Sequence, residues 1–223
     1  MKKQILTLSL IVSLFCIGCS SEKKTNQPPV KQRVKQNFSG MSFYSEDADA
    51  EQQDTWKIEN GMLKCTGTPK GYLHTNDSFK NFIMTFKWRW PDPENPGKGG
   101  VLIDTTGKYK IWPKSLEAQI NAGDAGDFWA LDGYKVEGDP ELTETVSHDQ
   151  FGELIHIKKM QPAEKTAGMW NSYKIVAEEE NITLFINGRL VNKAKRINSK
   201  GGIICLTAEG TPIEFKDIKI VAN

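Results

Sequence analysis

Three histidines in 223 residues leave little material for a histidine-based metal centre, and His74, His148 and His156 share no ligand spacing. The chain has no HExxH pair, no CxxC arrangement, no glycine-rich phosphate loop and no GxSxG nucleophile elbow. Zincin-type proteolysis, thioredoxin-like redox chemistry, nucleotide hydrolysis and α/β-hydrolase esterolysis are thereby set aside. Neither a metal nor a cofactor is expected. An excess of charge of one sign is also missing, since 29 Lys and Arg face 28 Asp and Glu. No basic face is implied, so nucleic acid is not an expected partner.

No apolar run reaches the roughly 20 residues that a permanent membrane helix needs. The run from Ile5 to Ile17 follows Met1-Lys2-Lys3 and ends at Gly18-Cys19, the layout of an export signal. Cys16-Ile17-Gly18-Cys19 resembles a bacterial lipobox, with Cys16 where Leu is usual. Residues 1–18 are therefore expected to be a lipoprotein signal peptide and Cys19 a lipidated N-terminus. Diacylation gives firm anchoring where a single chain is marginal. The expected location is the cell envelope, as a periplasmic or outer-membrane lipoprotein; ordinary secretion with Cys19 as a bystander is the alternative. Loss of Lys2 and Lys3 leaves 27 basic against 28 acidic residues, a net charge of −1. Residues 19–37 are polar, with Pro28-Pro29 and no apolar period, and read as a flexible tether.

Residues 38–223 read as one all-β domain. Asn60-Gly61 and Asn187-Gly188 are two-residue hairpin signals, because both residue types tolerate positive φ. They join Trp56–Glu59 to Met62–Thr66 and Ile182–Ile186 to Arg189–Val191. Along Asn81–Trp90, Phe82, Met84, Phe86, Trp88 and Trp90 take one face, while Thr85, Lys87 and Arg89 take the other. Gly100–Asp104 is expected to pair with Tyr109–Trp112 around Gly107. Trp170–Ala177, Gly202–Thr207 and Ile213–Val221 supply further strands, with Trp170 expected in the core. Glu141–Gln150 reads as a loop with a helical turn, inside a polar excursion over Tyr134–Lys165 that shapes one rim of a site. Many short strands with regular turns predict a sandwich or jelly roll. Cys65 and Cys205 sit in apolar strand patterns, either as buried thiols or as a disulfide that an exported setting permits.

Carboxylates and aromatics remain as the chemistry. Glu117 and Gln119 are two apart, so an extended strand projects both to one face while Ala118 and Ile120 fill the other. On a concave sheet that polar face becomes a sugar-recognition surface. The turn over Asn121–Gly126 returns the chain to Asp127 and Trp129, a carboxylate and a stacking ring at the rim, with Asp124 left to turn chemistry. Glu209, where a strand ends before Gly210 and Pro212, offers a second acid. Two acids at opposite edges of a pocket suit acid–base work when one holds a proton and the other is ionised. Trp88, Trp90, Trp112, Trp129 and Trp170 exceed what the strands need for a core alone, and sugar faces stack on such rings. Lys98, on a glycine-flanked loop, reaches either a ligand oxygen or solvent. His148 beside Asp149 either orients a base or sits on a solvated loop. His156 alternates with Ile155 and Ile157 and is expected on a strand's polar face.

Several pieces together resemble the 3-keto-disaccharide hydrolase family: Trp56–Leu63, Lys114–Ile120, Gly126–Trp129, Trp170-Asn171 with Ile186–Gly188, and Leu206–Phe215. The likeness covers about Thr55–Ile220. It implies a two-sheet concanavalin A-like jelly roll with a concave carbohydrate site, often in exported lipoproteins. Where the family reads Asn-Ser-Gly, this chain has Lys98-Gly99-Gly100, and whether Lys98 takes over the contacts of that Asn is left open. The implied activity is cleavage of glycosides oxidised at C3, by C2-proton abstraction and loss of the C1 substituent. Glu117 and Glu209 would be catalytic, in roles that can be exchanged. Gln119, Lys98, Asp127, Trp129 and His148 would bind substrate. A conventional glucanase-like hydrolase and a non-catalytic carbohydrate-binding module are the alternatives. The expected partners are a carbohydrate and, through the lipid, a membrane, with the chain acting as a monomer.

Overall fold

The computed structural model describes residues 34–35 and 41–222. The signal peptide, the lipidated Cys19 and most of the tether expected from the sequence lie outside the described residues. β1 (Val34–Lys35) and β2 (Met41–Ser45) precede a single helical turn, α1 (Gln52–Thr55). Next come β3 (Trp56–Glu59), β4 (Met62–Cys65), β5 (Gly71–Thr75), β6 (Phe82–Arg89), β7 (Gly100–Thr106), β8 (Lys114–Gln119) and β9 (Phe128–Leu131). β10 (Val136–Glu137), β11 (Thr143–His148), β12 (Gly152–Ile157) and β13 (Asn171–Glu178) follow. The last are β14 (Asn181–Ile186), β15 (Arg189–Arg196), β16 (Ile203–Ala208) and β17 (Ile213–Ala222).

These strands form two antiparallel sheets packed as a jelly-roll sandwich. Sheet A runs β10-β15-β14-β13-β6-β17-β4-β3, with β1 also against β17. Sheet B runs β11-β12-β9-β8-β7-β16-β5-β2. Consecutive strands β6 and β7 lie in different sheets, so the chain crosses the sandwich between them.

The period-2 pattern places the core. Phe82, Met84, Phe86 and Trp88 of β6 meet Tyr173 and Ile175 of β13 and Phe215 of β17 in one apolar cluster. Leu116, Ala118 and Phe128 of sheet B close it from the other side. Asn60-Gly61 (φ 51° and 73°) and Asn187-Gly188 (φ 51° and 79°) adopt the left-handed pairs that two-residue hairpins require.

Several sequence expectations are corrected. Trp88 and Trp90 are 0% and 1% exposed, so the core consumes them and neither faces a ligand. Trp170 lies half-buried on the outside of sheet A, beneath Arg89 and Lys216, whose cations stand 4.8 and 4.0 Å from the ring centroid. β7 pairs with β8, and Tyr109–Trp112 is irregular backbone. Glu141–Gln150 contains strand β11 in place of a helical turn. An edge strand pairs on one side only, and β11 is wet enough on both faces to blur its alternation. Cys65 and Cys205 are free thiols, buried in different sheets, and burial pushes both up to about 12.

Among the polar ties that join the sheets, one is a buried ion pair. A bulge around Asp104 (φ 54°) lets β7 turn this carboxylate towards Arg196 of β15, which is fully buried. Arg196 Nη1 donates to Asp104 Oδ1 and Oδ2 (3.0 and 3.2 Å), while Nη2 donates to the Glu179 carbonyl (2.6 Å). Tyr134 and Ser199 hydroxyls donate to the same carboxylate at 2.6 and 2.5 Å. Removing one partner leaves a buried charge uncompensated. Arg196→Met should therefore lower the unfolding free energy by about 3–5 kcal/mol in urea titration; a loss below about 1 kcal/mol would show that the tie is dispensable.

Candidate functional site

β8 divides as its sequence predicts. Leu116, Ala118 and Ile120 enter the core, and Ser115, Glu117 and Gln119 project from the opposite, concave face of sheet B. Strand register then sets a lateral row. Glu117 lies opposite Trp129 of β9 and Leu102 of β7, and Trp129 lies opposite His156 of β12. Beyond these, Leu102 lies opposite Cys205 of β16, and Cys205 opposite His74 of β5.

Glu209, just past the end of β16 and outside this row, is near enough for its charge to act on Glu117. Glu117 is 6% exposed, and no hydrogen bond to its carboxyl is found among the described residues. A Cβ at Gly100 would stand 2.3 Å from Glu117 Oε1, so glycine at the start of β7 makes the room this carboxyl occupies. The Gly100 N–H donates to Thr207 Oγ1 (2.7 Å), whose hydroxyl donates to Glu209 Oε1 (2.7 Å). Burial, then the charge of Glu209, holds the Glu117 carboxyl well above the usual carboxylate range. Burial raises Glu209 as well, but the Thr207 hydroxyl and the charges of Lys98 and Lys70 pull against it. Glu117 is thus the better proton holder and Glu209 the better anion.

Further along the same face, next to Glu117's neighbour Trp129, lies a cavity of about 420 Å³ lined by Gln119, Asn121, Asp127, Trp129, His156 and Lys159 and by neither glutamate, a volume within the usual range for small ligands. Gln119 and Trp129 face it as expected. Asp127 does not act as an open rim residue: it is buried and bound internally. His156 lies on the face of β12 opposite Ile155 and Ile157, as expected, and is buried there between two carboxylates. Its Nε2 lies 2.7 Å from Asp127 Oδ2 and its Nδ1 3.0 Å from Glu144 Oε1. Two ionised acceptors require both ring nitrogens to donate, which makes the ring an imidazolium. Burial opposes that charge, yet the two hydrogen bonds outweigh it and raise the imidazole above its ordinary value. Burial likewise works against the Asp127 charge, but His156, the Lys159 N–H and the Lys159 ammonium leave it below the carboxylate norm. The imidazolium stacks on Trp129 with centroids 4.0 Å apart and planes 9° apart.

Lys98 is exposed on its loop, near enough to Glu209 to lower it. His148 is not part of this group. It sits exposed at the far end of β11, stacked on Phe151 (4.5 Å). Asp124 is exposed in its turn and pairs with Lys159 (3.3 Å). Among the described residues no cluster of His, Cys, Asp and Glu is arranged to hold a metal ion. The sequence reading missed Thr207 and the Asp127–His156–Glu144 clamp. Thr207 was within reach, because it shares a strand face with Cys205 and stands two before Glu209. The clamp joins three strands and has no local signature.

Residues 36–221 match the family model of the 3-keto-alpha-glucoside-1,2-lyase-like domain, and the chain belongs to that family. No curated relative matches it in sequence. A provisionally named glycosyl hydrolase from Parabacteroides distasonis superposes with TM-score 0.61 at 16% identity, over 86% of this chain and 100% of that one. Carbohydrate-binding module CBM66 from Bacillus subtilis follows at 0.56 and 13% identity, over 80% and 93% of the two chains. LamAcat from Zobellia galactanivorans gives 0.53 and 12%, over 85% and 93%. At such identities the likeness establishes the concanavalin A-like jelly roll alone.

Two predictions test the electrostatics. A carboxyl raised by folding contributes stability below its ordinary titration range and loses it as pH climbs through the raised value. Glu117→Gln should therefore melt above the wild type at pH 8, with the gap shrinking towards pH 4 in thermal scans; a gap independent of pH would contradict this. For His156 the contribution is present below the ordinary imidazole value of 6.5 and is lost as pH rises through the raised one. Nitrogen-15 NMR at pH 7 should show both ring nitrogens of His156 protonated, where a neutral-tautomer pattern would refute the clamp.

Proposed function

We propose that the domain is a carbohydrate-active enzyme that cleaves glycosides oxidised at C3 of the sugar ring. One observation carries the reading: two carboxyls, Glu117 and Glu209, interact in environments that give them different proton affinities, and Glu117's cross-strand neighbour Trp129 lines a sugar-sized cavity. The family description and the glycosyl hydrolase and carbohydrate-binding structures of the same fold support the substrate class.

A ketone at C3 acidifies the proton on C2. Glu209, the more readily ionised member, takes that proton, and the electron pair of the C2–H bond passes into a C2–C3 enolate. The enolate pair then forms the C1–C2 double bond as the C1–O bond breaks, and the protonated Glu117 supplies a proton to the leaving oxygen. Water addition reverses the roles: Glu117 accepts a proton from the water attacking C1, and Glu209 returns its proton to C2. Both carboxyls regain their starting states, and the net reaction is hydrolysis. Gln119 and the Lys98 ammonium are the groups available to steady the enolate oxygen. Trp129, held flat by the His156 imidazolium, offers a ring for the sugar's apolar face.

The test pairs a 3-keto glucoside with its unoxidised parent. Turnover of the keto substrate alone is expected. Equal cleavage of both would favour a conventional glycoside hydrolase, and binding without cleavage of either would favour a binding module. Glu117→Gln should cut keto-glycoside turnover by about 10²–10⁴-fold with affinity retained.

A further inference from the structure

The concave face of sheet B carries a second apolar cluster, Tyr72, Leu102, Leu131, Leu154 and Cys205, on the side away from the sandwich core. Tyr72, Leu102 and Cys205 are 0% exposed although no second sheet lies over them. Their cover is local. Trp112, from the irregular segment Gly107–Pro113 between β7 and β8, packs on the cluster together with Tyr44, Trp129, Ile203 and, from the β11–β12 turn, Phe151. The Trp112 and Phe151 rings meet edge to face at 6.4 Å. Tyr109 of the same segment stacks at the other flank on Tyr44 (5.7 Å) and His74 (5.3 Å). Lys110 pairs with Asp132 across 2.9 Å. Gly107–Pro113 is thus a strap pinned at both flanks of the sheet, when joining two neighbouring strands requires far less reach.

Its effect shows in the lateral row. From Glu117 towards β12 the neighbours are Trp129 and His156, beside the open cavity. From Glu117 towards β5 the next neighbours are Leu102 and Cys205, both sealed. A sugar chain laid across the sheet meets this filled surface about 4.8 Å from Glu117, one strand spacing away. Among the described residues, an open cavity lies on the β12 side of Glu117, while Leu102 and Cys205 on its β5 side are sealed.

We propose that the Gly107–Pro113 strap, through Trp112 and Tyr109, is a specificity element that makes the site one-ended, so that only a terminal sugar of a glycan reaches Glu117 and Glu209. This rests on the functional reading above. Neither aromatic touches the carboxyls, and both act by filling the path that an internal residue would need.

Two trisaccharide isomers give the test, one oxidised at C3 of its non-reducing-terminal ring and one at C3 of its central ring. The wild type should cleave the first and leave the second. Trp112→Ala should raise the central-to-terminal ratio of kcat/KM by about tenfold or more, the scale of discrimination by a filled apolar pocket. Tyr109→Ala should raise it in the same direction and, at a 57% exposed position, keeps the fold if Trp112→Ala does not. Equal cleavage of the isomers by the wild type, or an unchanged ratio in the folded variants, overturns the strap's role while leaving keto-glycoside cleavage intact. No turnover of either isomer overturns the functional reading and the strap's role together.

Discussion

Sheet B is covered on one face by the sandwich core and carries on the other an apolar cluster capped in part by its own strap, with the Glu117 carboxyl buried on that same face. That placement constrains the surrounding geometry. Gly100 must lack a side chain, because Glu117 fills the space a Cβ would take. Thr207 must donate to Glu209, since a half-buried carboxyl without a donor is costly. The clamp on His156 must hold both carboxylates, because a buried imidazolium is tolerated only when both its protons are taken.

Two like-charged groups buried side by side cannot both ionise cheaply. One proton is shared between them, and the unequal neighbours decide where it rests. Lys98, Lys70 and the Thr207 hydroxyl all favour charge on Glu209, and nothing comparable favours it on Glu117. The asymmetry is a loss for stability at neutral pH, since Glu117 folds into surroundings that its charged form dislikes. It also leaves an acid and a base ready at the same pH. The Asp104–Arg196 tie is the contrasting case, with the carboxylate satisfied by guanidinium and two hydroxyls. Buried charge alone does not mark the site; unequal buried charge does.

Much of the frame was legible in local pattern. Strict alternation on β6 and β8 placed the core and set Glu117 with Gln119 on the opposite face, and the two Asn-Gly pairs fixed their hairpins. What local pattern did not carry was anything that depends on bulges or edges. Asp104 reaches the interior because β7 breaks its period, and β11 hides its strand character as a wet edge. Tyr109–Trp112, expected to pair with Gly100–Asp104 around Gly107, is irregular backbone and β7 pairs with β8. Trp112 there is partly buried as a cover on the face away from the core, and Tyr109 is exposed. The tryptophans misled for a related reason: composition counts rings, and only the register says which face each ring takes. Trp88 and Trp90 went to the core, and Trp129 to the site.

The strap and the acidity of Glu117 are one physical fact viewed from two sides. The aromatic cover that stops a sugar chain at Leu102 also keeps water from the Leu102 flank of Glu117. Water exclusion is what raises that carboxyl, and the charge of Glu209 adds to it. An open groove across the whole sheet would admit longer ligands and would hydrate Glu117 as well, bringing its proton affinity back towards that of Glu209. The difference between the two carboxyls would then shrink, and with it the division into acid and base. On this fold, a site that relies on desolvation to help separate two glutamates is bound to be small, because the surface that dries one carboxyl occupies the path a second run of sugars would follow.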